Sequence, residues 1–239
     1  MSYNFHNPPF PTLMDTGFNE TLAAVLRRVY AWMALGLFTT AFVAVLVDAS
    51  PLSQILAGQP LVFFGLLLLE LALVIGLSWG INRLSPAVAK ALFFAYAALN
   101  GLTLSVLFLV YTLGSVVNTF VACAALFGVM SIIGYTTKVN LARMGTFLVM
   151  ALIGLIIAMV VNIFWANSTL GWIVTFAGIL LFLGLTMFDT QRIRRMTAAA
   201  LQQGEEDIQA RLGILGALSL YLDFINLFLF LLRLGGRQR

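Results

Sequence analysis

Three carboxylic acids lie within or at the end of long apolar runs of this chain, and they are the first candidates for chemistry. Glu70 lies near the middle of one run, Asp223 lies about ten residues into the last run, and Asp189 closes the run before it. An ionisable side chain in hydrocarbon costs about 2.5–3.5 kcal/mol on insertion scales, so such groups usually face a bundle interior. We therefore take these three acids as the candidate site residues.

Asp189 and Asp223 are predicted to act as a pair. The segment that joins their runs begins and ends on one side of the membrane, so the two helices are expected to be antiparallel neighbours. Two carboxyl groups that face each other in a dry site cannot both ionise at low cost, so the pair should share a proton and titrate as a unit. A shared hydrogen bond would hold the helices together, whereas two ionised groups would repel each other and could admit a cation. The pair therefore predicts a pH switch.

Carboxylate oxygens are hard ligands, which suit calcium among the common ions. Glu70 is a further candidate calcium ligand, and Asn100 and Asn226 are candidate polar groups along an ion path. Asn226 follows Asp223 by three residues and is expected on the same helical face. The structural alternative stays open, because intramembrane carboxyl and amide groups often serve only as hydrogen-bonded contacts between helices.

The elements that must position these residues are transmembrane helices. The chain has 239 residues, of which 62% are hydrophobic and 9% are charged. Soluble domains carry about 25% charged residues, so this composition excludes a soluble globular protein. The few scattered basic residues also exclude a nucleic-acid binder. With one histidine, His6, and one cysteine, Cys123, the chain lacks the side chains for zinc, haem or Ser-His chemistry, and we expect no cofactor.

The apolar runs predict an all-α polytopic membrane protein with seven transmembrane helices. The runs cover residues 29–47, 61–79, 91–111, 116–135, 144–165, 170–188 and 212–232. Apolar Ile193 and Met196 predict that the sixth helix continues past Asp189. We expect a single membrane domain at 21–235, a polar, proline-rich and mobile tail at 1–20, and a short tail at 236–239.

Lysine and arginine alternate between the connections of these runs. They occur before the first run and in the second, fourth and sixth connections, and the first, third and fifth connections have none. This positive-inside pattern predicts a cytoplasmic N-terminus and, with seven spans, a periplasmic C-terminus. Arg233, Arg237 and Arg239 after the last run disagree with it, so a re-entrant last segment stays open as an alternative.

An intramembrane aspartyl protease is the enzyme alternative, because its catalytic aspartates also lie on the sixth and seventh helices. That class of protein places a Gly-x-Gly-Asp motif at the second aspartate. Here Leu220, Tyr221 and Leu222 precede Asp223, so we expect that the chain is not an enzyme.

The last run reads Ser219-Leu220-Tyr221-Leu222-Asp223-Phe224-Ile225-Asn226-Leu227-Phe228. It resembles the C-terminal signature of the Bax inhibitor-1 family, the transmembrane Bax inhibitor motif proteins. Stretches 188–191, 134–138 and 100–105 also resemble the bacterial inner-membrane branch of that family. The likeness extends from about Arg27 to Arg233, which is nearly the whole chain.

The resemblance implies seven helices, with the seventh in the centre and wrapped by the other six. It implies a pH-sensitive calcium leak channel of the bacterial inner membrane, gated by a di-aspartyl pair whose positions match Asp189 and Asp223. Glu70 matches a carboxylate in the second helix of some members. In the family an arginine at the cytoplasmic end of the second helix latches to the sixth-helix aspartate, and Arg83 is the nearest candidate here.

Two functions follow as expectations. In the first, calcium is the transported species, and the partners are the lipid bilayer and calcium ions. In the second, the chain transports nothing and modulates a membrane-bound ATP-dependent protease or a stress-response partner, as some relatives are described to do. The N-terminal tail would supply that contact, because the role needs only reach and disorder.

Overall fold

In the computed structural model, residues 11–81, 83–203 and 206–238 are described, and nearly all of them are helical. The helices are α1 (Pro11–Asp48), α2 (Leu52–Gly58), α3 (Pro60–Gly80), α4 (Pro86–Leu104), α5 (Leu107–Val110), α6 (Leu113–Thr136), α7 (Ala142–Trp165), α8 (Ser168–Gln203) and α9 (Glu206–Gly235). The described residues contain no strand beyond one isolated antiparallel bridge between Tyr111 and Gln238.

Seven segments of the described chain are long and apolar enough to cross a membrane, which needs about 20 residues of helix. They are Phe18–Asp48, Pro60–Gly80, Pro86–Val110, Leu113–Thr136, Ala142–Trp165, Ser168–Leu201 and Arg211–Gly235. Each contains or overlaps one predicted run. The prediction of an all-α polytopic membrane protein with seven spans is confirmed.

Two boundaries at the ends of the spans bear on the predictions. α1 begins at Pro11, a residue type favoured at the first helical position, so the backbone of residues 11–20 of the predicted tail is helical. Residues 1–10 of that tail lie outside the described part of the chain. α8 extends to Gln203, which confirms that the helix continues past Asp189.

The predicted run at 91–111 is not one regular helix, because α4 ends at Leu104 and the short α5 follows it. The Ser105 hydroxyl donates to the Leu102 carbonyl oxygen at 2.6 Å. A serine side chain that bonds to nearby backbone competes with the regular helical pattern, which accounts for a break at this point.

α9 is the central helix of the bundle. It packs against α1, α4, α6 and α8. In its apolar 18-residue stretch 67% of the residues are buried, compared with 11% in the corresponding stretches of α3 and α7. The central position that the resemblance implied is therefore present. The wrapping is less even than implied, because α3 packs mainly on α4 and α7 mainly on α8.

The last segment crosses the bundle completely. α9 is one continuous helix of 30 residues, about 45 Å at 1.5 Å per residue, which exceeds the roughly 30 Å of hydrocarbon. The re-entrant alternative is therefore wrong. We call the end of the bundle where α9 stops the C-terminal end, and the end where α1 begins the N-terminal end. At the C-terminal end the Thr112 amide donates to the Arg237 carbonyl oxygen at 3.1 Å.

Glycines allow two pairs of helices to approach closely. A Cβ on Gly134 of α6 would overlap the carbonyl oxygen of Met187 in α8, and a Cβ on Gly101 of α4 would lie 2.6 Å from the carbonyl oxygen of Thr40 in α1. Lipid tails are as apolar as leucine, so membrane helices associate through close packing of this kind and not through the hydrophobic effect.

Replacing Gly134 with alanine is expected to destabilise the bundle by about 1–3 kcal/mol, because the backbone of α8 must shift. Gly128→Ala on the same helix is the matched control, since a Cβ there meets nothing within 4 Å. Thermal unfolding in detergent, followed by the fraction of monodisperse protein, measures both. Equal melting temperatures for the two variants would contradict the close packing of α6 on α8.

Candidate functional site

Asp189 of α8 and Asp223 of α9 line one cavity of about 570 Å³ between α7, α8 and α9. Asp223 is 5% exposed, and Asp189 is half-buried. The Asp223 Oδ2 atom has no hydrogen-bond partner among the described residues. α8 and α9 are neighbours along much of their length, so the structure brings the two aspartates to one site.

Three polar residues of α9 share a face toward this cavity. Ser219, Asp223 and Asn226 all line it, because residues three and four apart lie one above the other on a helix. The Asn226 side-chain amide donates to the Leu222 carbonyl oxygen at 2.8 Å. Of the predicted polar groups along an ion path, Asn226 therefore lies with the aspartate pair.

Positive charge is also present at the pair. Arg192 lines the same cavity one turn after Asp189. Its charge acts on Asp189, and the Asp189 charge in turn acts on Asp223. Arg233 lines the same cavity at its opposite end, and every residue from α7 is apolar: Val149, Leu152, Leu155, Ile156 and Met159. The pair thus lies between two arginines, and only apolar side chains line the cavity on the α7 side.

The aspartate cavity is the middle member of a row of three along α8 and α9. Asp189, Arg192 and Ser219 also line a cavity of about 260 Å³ toward the N-terminal end. Arg233 also lines a cavity of about 330 Å³ at the C-terminal end, beside the α7–α8 connection. Shared lining residues therefore connect the aspartate pair to cavities in both directions along the bundle axis.

Residues next to Asp189 fix this part of α8 from two sides. Gln191 is buried, and its Oε1 atom accepts a hydrogen bond from the Leu141 amide at 2.9 Å while its Nε2 atom donates to the Val139 carbonyl oxygen at 2.8 Å. The hydroxyls of Thr190 and Tyr30 of α1 lie 3.1 Å apart. Gln191 was not among the residues predicted for the site, although it is a polar residue at the end of an apolar run.

Glu70 forms a different cluster, between α3 and α4. Its Oε1 atom lies 2.8 Å from the Thr103 hydroxyl, and its Oε2 atom accepts from the Asn100 side-chain amide at 3.3 Å. The same amide donates to the Tyr96 hydroxyl at 3.2 Å. Neither Glu70 nor Asn100 lines the aspartate cavity. The structure therefore places these two residues of the predicted ion path with each other and not with Asp223.

The predicted calcium set of Asp189, Asp223 and Glu70 is not assembled in this structure. Among the described residues no group of three or more histidine, cysteine, aspartate or glutamate side chains could hold a metal ion. The reason is geometric, because Glu70 lies on α3, which packs mainly on α4, and its carboxyl oxygens contact Asn100 and Thr103 of α4.

Arg83, the predicted latch, lies in the turn between α3 and α4 and is exposed. It lines none of the three cavities along α8 and α9. The guanidinium that the structure places at Asp189 belongs to Arg192. Arg192 was not among the residues predicted for the site.

Tyr221 anchors the central helix and was also missed. It is fully buried, and its hydroxyl lies 2.6 Å from the Thr40 hydroxyl, which donates to the Ala97 carbonyl oxygen at 2.8 Å. Its ring packs edge-on against that of Tyr96. Tyr221 thereby joins α1, α4 and α9, two residues before Asp223.

Replacing Glu70 with glutamine should leave stability nearly unchanged, and Glu70→Ala should cost about 1–3 kcal/mol. Thr103 has one hydroxyl hydrogen and lies within reach of both Glu70 Oε1 and the Asn100 carbonyl oxygen. Glutamine can donate to Thr103 and accept from Asn100, whereas alanine removes both of these hydrogen bonds from the buried cluster. Thermal unfolding of the two variants in detergent tests this, and equal losses for glutamine and alanine would show that the cluster needs a charge.

Known proteins match this chain over nearly its whole length. A family model described as "Inhibitor of apoptosis-promoting Bax1" matches residues 22–239. The chain is 45% identical over 219 residues to the inner membrane protein YbhL of Escherichia coli, which covers 91% of this chain and 93% of that protein. It is 40% identical over 215 residues to an uncharacterised protein of Borreliella burgdorferi, covering 90% and 92%. It is 36% identical over 230 residues to an uncharacterised membrane protein of Streptococcus pyogenes, covering 95% and 96%.

Proposed function

The chain belongs to the Bax inhibitor-1 family, and on that premise we propose that it is a pH-sensitive calcium leak channel gated by Asp189 and Asp223. Its place is the bacterial inner membrane, with a cytoplasmic N-terminus and a periplasmic C-terminus. The inner-membrane relative supports the membrane, and the alternation of basic residues between the connections supports the orientation.

The observation that carries the proposal is the buried Asp223 in a cavity shared with Asp189. Its Oδ2 atom has no hydrogen-bond partner among the described residues. A buried carboxylate without a partner is costly, so the site favours binding of a proton or a cation there. A group that serves only to hold helices together would have its hydrogen bonds satisfied, as Glu70 has.

The sign of the pH response follows from charge. With one shared proton the pair attracts, and α8 and α9 stay together, which closes the path. Loss of that proton leaves two negative groups that repel and that offer carboxylate oxygens to calcium. Two charged groups, Arg192 and Arg233, line the cavity with the pair. Ser219 and Asn226 add neutral oxygen atoms, and the α7 residues in the lining carry no polar side chain. Leak should therefore rise with pH.

The row of three cavities supports a route for the ion along α8 and α9. The aspartate cavity shares Asp189, Arg192 and Ser219 with the cavity toward the N-terminal end, and it shares Arg233 with the cavity at the C-terminal end. A channel needs sites that an ion can enter and leave in sequence. Separation of α8 from α9 at the aspartates would join the three volumes.

Calcium flux from proteoliposomes across a pH series is the test of the gate. The wild type should leak faster as pH rises, by up to about tenfold per pH unit while the closed form dominates, because one proton controls the pair. Asp189→Asn or Asp223→Asn should remove most of that dependence. Asp48→Asn, at the end of α1 and away from the cavity, is the matched control.

Two results would overturn this assignment. Folded wild-type protein that shows no flux at any pH rules out a pore, and the regulatory role with a protease or stress-response partner then becomes the candidate. A deletion that tests that role must stop before Pro11, where α1 begins. Loss of pH dependence in Asp48→Asn to the same degree as in the pair variants would rule out the pair as the gate.

Arg192 and Arg83 give a second test of the site. Arg192→Gln removes a positive charge beside Asp189, so deprotonation of the pair becomes harder and the pH midpoint of the flux should rise by about one unit. Arg83→Gln should leave the midpoint unchanged, because Arg83 lines none of these cavities. A shift in Arg83→Gln alone would assign the latch to Arg83, as the family resemblance implied, and would contradict the arrangement seen here.

A further inference from the structure

A cavity of about 730 Å³ lies between α1 and α6, away from the aspartates; we call it the α1–α6 groove. Phe224 of the central helix forms its floor, with its ring 5.2 Å from Phe120 and 5.5 Å from Phe127. The α6 side chains Ala124 and Ile132 on its rim are exposed. Because both helices cross the membrane, the groove opens toward lipid.

Polar groups occur at only one end of the α1–α6 groove. Arg27, Tyr30, Ser131 and Tyr135 lie toward the N-terminal end of the bundle, and the other lining residues carry no polar side chain: Ala23, Leu26, Met33, Ala34, Leu37, Phe120, Ala124, Phe127, Gly128, Ile132 and Phe224. Ser131 is 7% exposed, and its hydroxyl has no hydrogen-bond partner among the described residues.

Positive charge lies at the same end. The Arg27 side chain lines the groove there. The Arg194 guanidinium lies 4.9 Å from the centre of the Tyr135 ring. The groove therefore has one cation at its mouth and a second beside it at Tyr135, the Ser131 hydroxyl below them and an apolar floor beyond, which is the polarity order of a phospholipid.

The groove is shorter than the full thickness of a bilayer. Its lining runs from Ala23 to Leu37 of α1 and from Phe120 to Tyr135 of α6, about 21–23 Å of helix, compared with roughly 30 Å of hydrocarbon. A transmembrane helix from a second copy or a partner would need a groove through both leaflets. The volume also lies within the range of about 300–1,000 Å³ typical of ligand sites.

We propose that the α1–α6 groove binds one anionic phospholipid from the leaflet at the N-terminal end. One acyl chain lies along Phe127, Ala124 and Phe120, and the phosphate lies at Arg27. The Ser131 hydroxyl donates to an ester carbonyl oxygen of the lipid, which satisfies the buried group. The site does not depend on the aspartate gate.

The first test blocks the acyl chain. Native mass spectrometry of the full chain in detergent, titrated with phosphatidylglycerol, should show one retained lipid for the wild type. Ala124→Phe fills the groove and should weaken that binding at least about tenfold, because two buried methylene groups already correspond to this factor. Ala125→Phe, the same change at an exposed residue of α6 outside the groove, should bind as the wild type does.

Gly128→Leu provides a second blocking variant that should fold, because a Cβ at Gly128 meets nothing within 4 Å. It should lose the lipid and keep the wild-type melting temperature in lipid-free detergent. Retention of the lipid by both Ala124→Phe and Gly128→Leu would overturn the proposal, as would equal loss in Ala125→Phe.

The second test concerns the headgroup. Wild-type protein should prefer phosphatidylglycerol to phosphatidylcholine, and Arg27→Gln should reduce phosphatidylglycerol binding about fivefold, the factor for one basic residue near an anionic surface. Arg28→Gln is the matched control, since Arg28 is exposed and does not line the groove. Equal effects of the two substitutions would overturn the assignment of the phosphate to Arg27.

A second copy of the chain in the groove would give a different result. The wild type would then be dimeric in detergent, and Ala124→Phe would make it monomeric without changing lipid retention. That outcome would overturn the lipid proposal and would assign the groove to a contact between two copies of the chain.

Discussion

The hydrocarbon of a bilayer supplies no hydrogen bonds, so each polar group that the sequence places there must find its partner within the bundle. Glu70 meets this condition, because Thr103 and Asn100 contact both of its carboxyl oxygens. Asp223 does not, because its Oδ2 atom has no partner among the described residues although the side chain is 5% exposed. This difference separates a group that holds helices together from one that is available to a proton or an ion.

The bundle can carry such an unsatisfied group because α9 is held firmly elsewhere. Tyr221 joins α9 to α1 and α4 through the Thr40 hydroxyl and the Tyr96 ring. On the other side, Gln191 fixes α8 to the α6–α7 connection, beside Asp189. The two aspartates therefore lie between rigid supports. In the proposed gate, a change in their charge would act on the separation of α8 and α9, and not on the whole bundle.

Close approach of backbones at one place and an open groove at another are both features of this packing. Gly134 brings α6 against α8, while α1 and α6 leave a groove whose floor is Phe224 of α9. α9 contacts several helices, so not all of its neighbours can also contact each other. The gap that results faces the bilayer, where lipid is the available material to fill it.

The sequence by itself determined the seven spans, the absence of a soluble core, and the three intramembrane acids, because hydrophobic length and the cost of charge in lipid are local properties. It also indicated that Asp189 and Asp223 lie on adjacent helices, since one connection joins them. Only the tertiary structure decided that Glu70 belongs with Asn100 and not with the aspartates, and that Arg192, not Arg83, lies at Asp189. Those placements depend on how each helix is rotated and which helix it packs on. Apolar residues around the full circumference of a span carry no signal for that rotation.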